Sequence, residues 1–129
     1  MINFTNLVLK VIEFDDKVAE ATIKKRLNAA KYRADKKGLV FELTEEIIRD
    51  KFKKQKGLCY YSGIRLSFHC GRSNTISFER IDSSIGYTVE NTVLVTKIVN
   101  NAKKDASETD FYDMIAKVYI FSPTKVEIS

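Results

Sequence analysis

The chain is expected to fold as one α+β domain, in which helices precede and follow a small two-stranded unit. Three features of the sequence carry that expectation. A basic stretch running to Lys37 keeps apolar residues at helical spacing and stops at Gly38. Two short runs, Ile76–Ile81 and Thr92–Val95, are rich in β-branched and aromatic residues and flank a Gly86-Tyr87 loop. Lys97–Lys103 then reads as a helix, and Phe111, Met114, Ile115 and Val118 repeat at i, i+3, i+4 and i+7 in a final one. The expected division of residues 1–129 is a strand or helical lead-in over 1–57, a central unit over 58–104, and a C-terminal helix and tail over 105–129.

The bulk numbers set bounds on function. At 129 residues there is room for one hydrophobic core. Hydrophobic residues at 44% and charged residues at 30% are ordinary for a globular domain. The net charge of +5 favours a polyanionic partner and says nothing about fold. No stretch of eighteen apolar residues exists, so no membrane span is expected. The N-terminus MINFTNLVLKVIEF lacks the basic region and cleavage site of a signal peptide. Cys59 and Cys70, with no secretion signal, are expected as free thiols in a reducing cytoplasm.

Residues 2–14 are compatible with a strand or with the start of a helix. Asp15 or Asp16 is expected to cap the first helix. Its apolar face is Ile23, Leu27, Ala30 and Ala34, and seven cations fall between Lys24 and Lys37. Of these, Lys24, Lys25, Lys31, Arg33, Lys36 and Lys37 are expected to contact nucleic-acid phosphates. Leu39–Leu43 is a short strand or extended link, and Thr44 caps a second helix with Glu45 and Glu46 in its first turn. Leu58–Leu66 reads as a tight hairpin turning at Ser62-Gly63. Cys59, Cys70 and His69 lack the paired C-x-x-C spacing of a structural zinc site, so no structural zinc is expected and Cys59 is assigned to the core. Ser107 and Asp110 have capping-box-like spacing, the last helix is expected to face the core, and Pro123 ends it. Lys125–Ser129 is a frayed tail or a short edge strand.

Glu79 ends the first expected strand, Asn91 opens the second, and Asn100 lies nine residues on, in the helix. If the hairpin folds back, a carboxylate and an amide oxygen face one another. That donor set suits one hard cation, Mg²⁺ or Mn²⁺, with room left for phosphate oxygens and water.

The ordered set Gln55-Lys56-Gly57-Leu58-Cys59, Tyr61-Ser62-Gly63, Ser77–Ser83, Gly86-Tyr87-Thr88, Glu90-Asn91, Val99-Asn100 and Lys103 resembles the HNH, or ββα-metal, nucleases. The likeness is to a variant common among phage-encoded proteins, with Lys31–Thr44 similar to their basic lead-in, and it spans roughly 26–111. The resemblance implies a ββα-metal core in which Glu79 and Asn100 are the metal ligands. It further implies that Asn91 ties down the loop and orients the catalytic residue, and that Lys103, with Lys104 beside it, touches phosphate. Where the family has a water-activating histidine this chain has Arg80, whose guanidinium stays protonated. Three routes remain open. Metal or substrate phosphate activates water while Arg80 clamps phosphate; His69, Asp82 or Tyr87 serves as base; or catalysis is lost and DNA binding kept. The expected function is therefore metal-dependent hydrolysis of DNA, with RNA an open alternative. A DNA-binding or regulatory module is the second expectation, and a protein-inhibitor module the third.

Overall fold

The computed structural model describes residues 3–127, without the side chains of 12–14. Ile2 of the first expected element, and 128–129 of the tail, lie outside the described residues. The fold is α+β, in the order α1 (Phe4–Lys37), α2 (Glu45–Lys54), β1 (Ile76–Arg80), β2 (Thr92–Thr96), α3 (Lys97–Lys103) and α4 (Glu108–Phe121).

The first helix begins earlier than the Asp15-Asp16 pair suggests. Asn3 is its N-cap and accepts a hydrogen bond from the Asn6 N–H at 3.2 Å, so α1 runs unbroken for 34 residues. No proline or glycine lies between Asn3 and Gly38, and nothing in the backbone chemistry forces an end there. Gly38 closes it at φ +66°, a left-handed conformation that glycine adopts without a Cβ penalty. Thr44 caps α2 by accepting from the Ile47 N–H, as its place before two glutamates predicts.

The two strands pair antiparallel, with Glu79 opposite Val93 and Phe78 opposite Leu94. Around them the chain is held by short irregular contacts. The 58–66 segment forms its turn, with the Cys59 N–H donating to the Ile64 carbonyl at 2.7 Å. Gln55 substitutes for a strand on the far side of β2: its amide donates to the Leu94 carbonyl and its Oε1 accepts from the Leu94 N–H. Cys59 is buried and its sulfur accepts from the Thr96 N–H, while Cys70 is exposed.

The core is a cluster built from Ile23, Ala30 and Ala34 of α1, Ile48 of α2, and Ile76, Phe78, Val93, Leu94 and Val95 of the strands. Leu43, Cys59, Leu66 and Tyr87 complete it. Helix α1 packs on β1 and α2, and α3 on both strands. The last helix departs from expectation. Ser107 caps α4 as predicted, yet only Phe111 of its stripe is buried; Met114, Ile115 and Val118 are exposed. A helical period reports that one face is apolar, not that the body extends far enough to cover it. Residues 125–127 form no strand. Among the described residues no helix is long and apolar enough to cross a membrane.

Candidate functional site

A cleft of about 460 Å³ opens where α1 passes β1, α3 and the loop after β1. Arg26, Arg33 and Lys37 line it from α1. They follow one another at intervals of seven and four residues and therefore share one helix face. Arg80 contributes from the end of β1, and Lys97 and Lys104 from the two ends of α3. Glu79 and Asp105 are the acids of the lining, against six cations. The Arg26 Nε is buried without a hydrogen-bond partner among the described residues, one unspent donor in a wall already dense in positive charge.

Glu79 is the chemically strained member of this wall. It is 5% exposed, its Oε2 has no hydrogen-bond partner among the described residues, and its Oε1 lies 3.9 Å from the Lys103 ammonium. Burial raises its carboxyl above the ordinary carboxylate range, and Lys103 opposes that shift. Lys103 is itself 1% exposed and donates to the Ala106 carbonyl at 2.7 Å. It also sits 6.0 Å from the Tyr61 ring. Tyr61 donates its hydroxyl to Glu108 at 2.8 Å, and burial followed by that hydrogen bond pushes its phenol strongly up. The resemblance to the nucleases assigned Lys103 to phosphate; the structure instead buries it as the counter-charge of Glu79.

Asn100 stands in the lining beside Glu79 and spends its amide N–H on the Ser77 hydroxyl at 2.6 Å. Among the described residues its Oδ1 accepts no hydrogen bond, so the amide presents an acceptor. The unpartnered Glu79 Oε2 and this Asn100 oxygen are the donor set a hard cation would use, with Asp105 on the same lining. Among the described residues no three His, Cys, Asp or Glu side chains form a metal-holding group. An ion held by these two oxygens alone would have to complete its shell with phosphate and water.

The loop after β1 is held from inside by Asn91. Its Oδ1 accepts from the Asp82 N–H at 2.9 Å, and its amide donates to the carbonyls of Asp82, Ile85 and Gly86. Arg80 works on the same loop: its Nη1 donates to the Ser83 carbonyl at 2.6 Å, and its guanidinium lies 5.2 Å from the Tyr87 ring. Gly86 lets the loop meet the Val40 backbone, where any Cβ would overlap it. The Tyr87 N–H then donates to the Val40 carbonyl at 2.8 Å, which ties the loop to the link before α2.

The structure brings together Glu79, Arg80, Tyr87, Asn100, Arg33, Lys37 and Lys104 of the residues singled out in the sequence. Asp82 is exposed, accepts from both the N–H and the hydroxyl of Ser84, and does not line the cleft. His69 is exposed on the loop before β1, also outside the lining. Lys24 pairs with Glu20 at 2.9 Å, Lys36 lies over the Tyr32 ring, and Lys25 and Lys31 are exposed elsewhere on α1. Counting cations by density selected these four; counting by helix phase would have found Arg26, which lies three residues after buried Ile23 and four before buried Ala30. Lys97, Asn101 and Asp105 were missed because a short helix of polar residues gives no phase from sequence. No protein-family model, curated protein or solved structure matches the chain.

Proposed function

We propose that this chain is a divalent-metal-dependent endonuclease of the HNH type that hydrolyses phosphodiester bonds of DNA. The observation that carries the reading is a six-cation cleft converging on a buried carboxylate with an unspent oxygen. The succession β1, β2, α3 has the element order of a ββα-metal core and supports it. Arg26, Arg33, Lys37, Lys97 and Lys104 would hold the phosphates of a strand. Glu79 and Asn100 would hold one Mg²⁺ or Mn²⁺, which when bound polarises the phosphoryl group and stabilises the leaving oxyanion. So cationic a cleft repels a free divalent ion, so ion and phosphate are expected to bind together, as is usual for Mg²⁺. Arg80 stabilises the loop and adds positive charge to the wall without taking a proton. Water activation falls to substrate phosphate, to the metal, or to Tyr87, the one member of the base trio on the cleft lining.

A second reading is favoured by one observation. Arg80 stands where a base would be and is hydrogen-bonded to its own loop. A DNA-binding module that has lost catalysis would keep the cations and dispense with the base. Purified protein is expected to nick plasmid DNA in Mg²⁺ or Mn²⁺ but not in EDTA, and Glu79→Ala and Asn100→Ala are expected to lose that activity. Salt-sensitive DNA binding that persists in EDTA and in Glu79→Ala, with no nicking by folded wild-type protein, would establish the second reading instead.

A further inference from the structure

The first two turns of α1, residues 4–11, stand clear of the body, every one of them exposed. Contact with the body is made from Asp16, which pairs with Arg49 of α2 at 3.1 Å, and Ala19 is buried. Phe4, Leu7, Val8, Leu9 and Val11 are all exposed, Phe4 at 74%, Leu9 at 53% and Val11 at 52%. Their spacing has a pattern. Phe4, Val11 and Val18 recur every seven residues, and Leu7 and Phe14 stand three after the first two of them. This is a heptad in which Phe4, Val11 and Val18 occupy a, and Leu7 and Phe14 occupy d. Outside that seam the polar Asn6, Lys10, Glu13, Asp16 and Lys17 outnumber the apolar Leu9 and Ile12, and the a and d positions turn largely polar or small after Val18. The seam therefore ends close to where the body begins.

We propose that this projecting arm is a dimerisation helix, pairing with the arm of a second copy of this chain as a parallel two-stranded coiled coil. Two arguments select that occupant. Valine at two a positions with leucine at a d position favours a parallel pair of strands. In the same frame Lys10 falls at g and Asp15 at the following e, the pair that meets across a parallel dimer, and two-fold symmetry makes the contact twice. Lys10 and Asp15 are both exposed, and neither forms an ion pair among the described residues. Five residues apart, they do not face one another within one helix. The seam buries on the order of 500 Å² per copy, near the low end for specific interfaces, so micromolar rather than nanomolar association is expected.

The test is sedimentation velocity on the full chain over a concentration series reaching about 200 µM, above the range expected for so small an interface. Wild-type protein is expected to shift from monomer to dimer, and Val11→Asp to remain monomeric with unchanged far-UV dichroism. Lys10→Glu alone and Asp15→Lys alone are each expected to weaken the dimer about tenfold, and the double variant Lys10→Glu/Asp15→Lys to recover it. A wild-type chain monomeric throughout, or a dimer that Val11→Asp leaves intact, would overturn the proposal. Failure of the double variant to recover would overturn it as well, because an antiparallel pair brings Lys10 to Lys10 rather than to Asp15.

Discussion

Glu79 and Lys103 form a buried ion pair whose two members are unequally satisfied. Lys103 has the Ala106 carbonyl besides its counter-charge, whereas Glu79 has an oxygen with no partner among the described residues. Removing one partner strands the other charge, and Lys103→Met is expected to cost about 3–5 kcal/mol in urea denaturation. Replacing both, as Glu79→Leu/Lys103→Met, is expected to be near neutral or stabilising, since neither charge then has to leave water. The pH dependence follows from the raised Glu79 carboxyl. The folded protein binds that proton more tightly than the unfolded chain does, whose carboxyl sits near 4.5. The stability this supplies is fully present below about pH 4.5 and is lost as pH rises through the folded value. Thermal melts from about pH 4.5 to 7 should therefore show wild-type protein losing stability relative to Glu79→Gln as pH increases. A constant difference between the two would contradict this assignment.

Among the elements, the loop between β1 and β2 is the part the site depends on most. Asn91 satisfies four backbone groups from one side chain, and Gly86 permits the approach to Val40. Gly86→Ala must displace one backbone from the other, and a loss of about 3 kcal/mol or more is expected by denaturant titration. Asn91→Ala should cost a similar amount, about 2–3 kcal/mol, because it orphans buried polar groups. Much of this level was legible in the sequence. Thr44, Ser107 and Gly38 announce helix ends through local chemistry, and the β1–β2 pair follows from composition and spacing. What remained hidden was non-local. Gln55 spans 39 residues to pair with Leu94, and nothing in its own neighbourhood indicates that. The start of α1 was ambiguous because Asp15 and Asp16 are good caps wherever a helix begins, and only the competing cap at Asn3 excludes them. The site residues divide the same way: Glu79 and Asn100 were found from donor chemistry, whereas Arg26 and Lys97 required knowing which face meets the cleft.

At the scale of the whole molecule, net charge is a poor guide to where a polyanion would sit. The chain carries 22 Lys and Arg against 17 Asp and Glu, and several of its lysines are neutralised locally in i, i+4 pairs with acids. The cleft concentrates six cations against two acids, so its local field exceeds what a total of +5 suggests. Phosphate binding driven by that field would release counterions, each contact contributing about 0.9 to the slope of log affinity against log salt on duplex DNA, or about 0.7 on a single strand. Arg26→Ala/Arg33→Ala removes two cleft cations from one face of α1. Fluorescence anisotropy with a labelled duplex is expected to show weaker binding and a slope shallower by about 1.8. A reduction nearer 1.4 on a single-stranded probe would follow from its lower charge density. Lys24→Ala/Lys36→Ala changes net charge equally but lies outside the cleft, and its slope should match wild type. Equal slope changes in the two double variants would mean that α1 attracts nucleic acid by its overall charge density, and that the cleft is not where the strand lies.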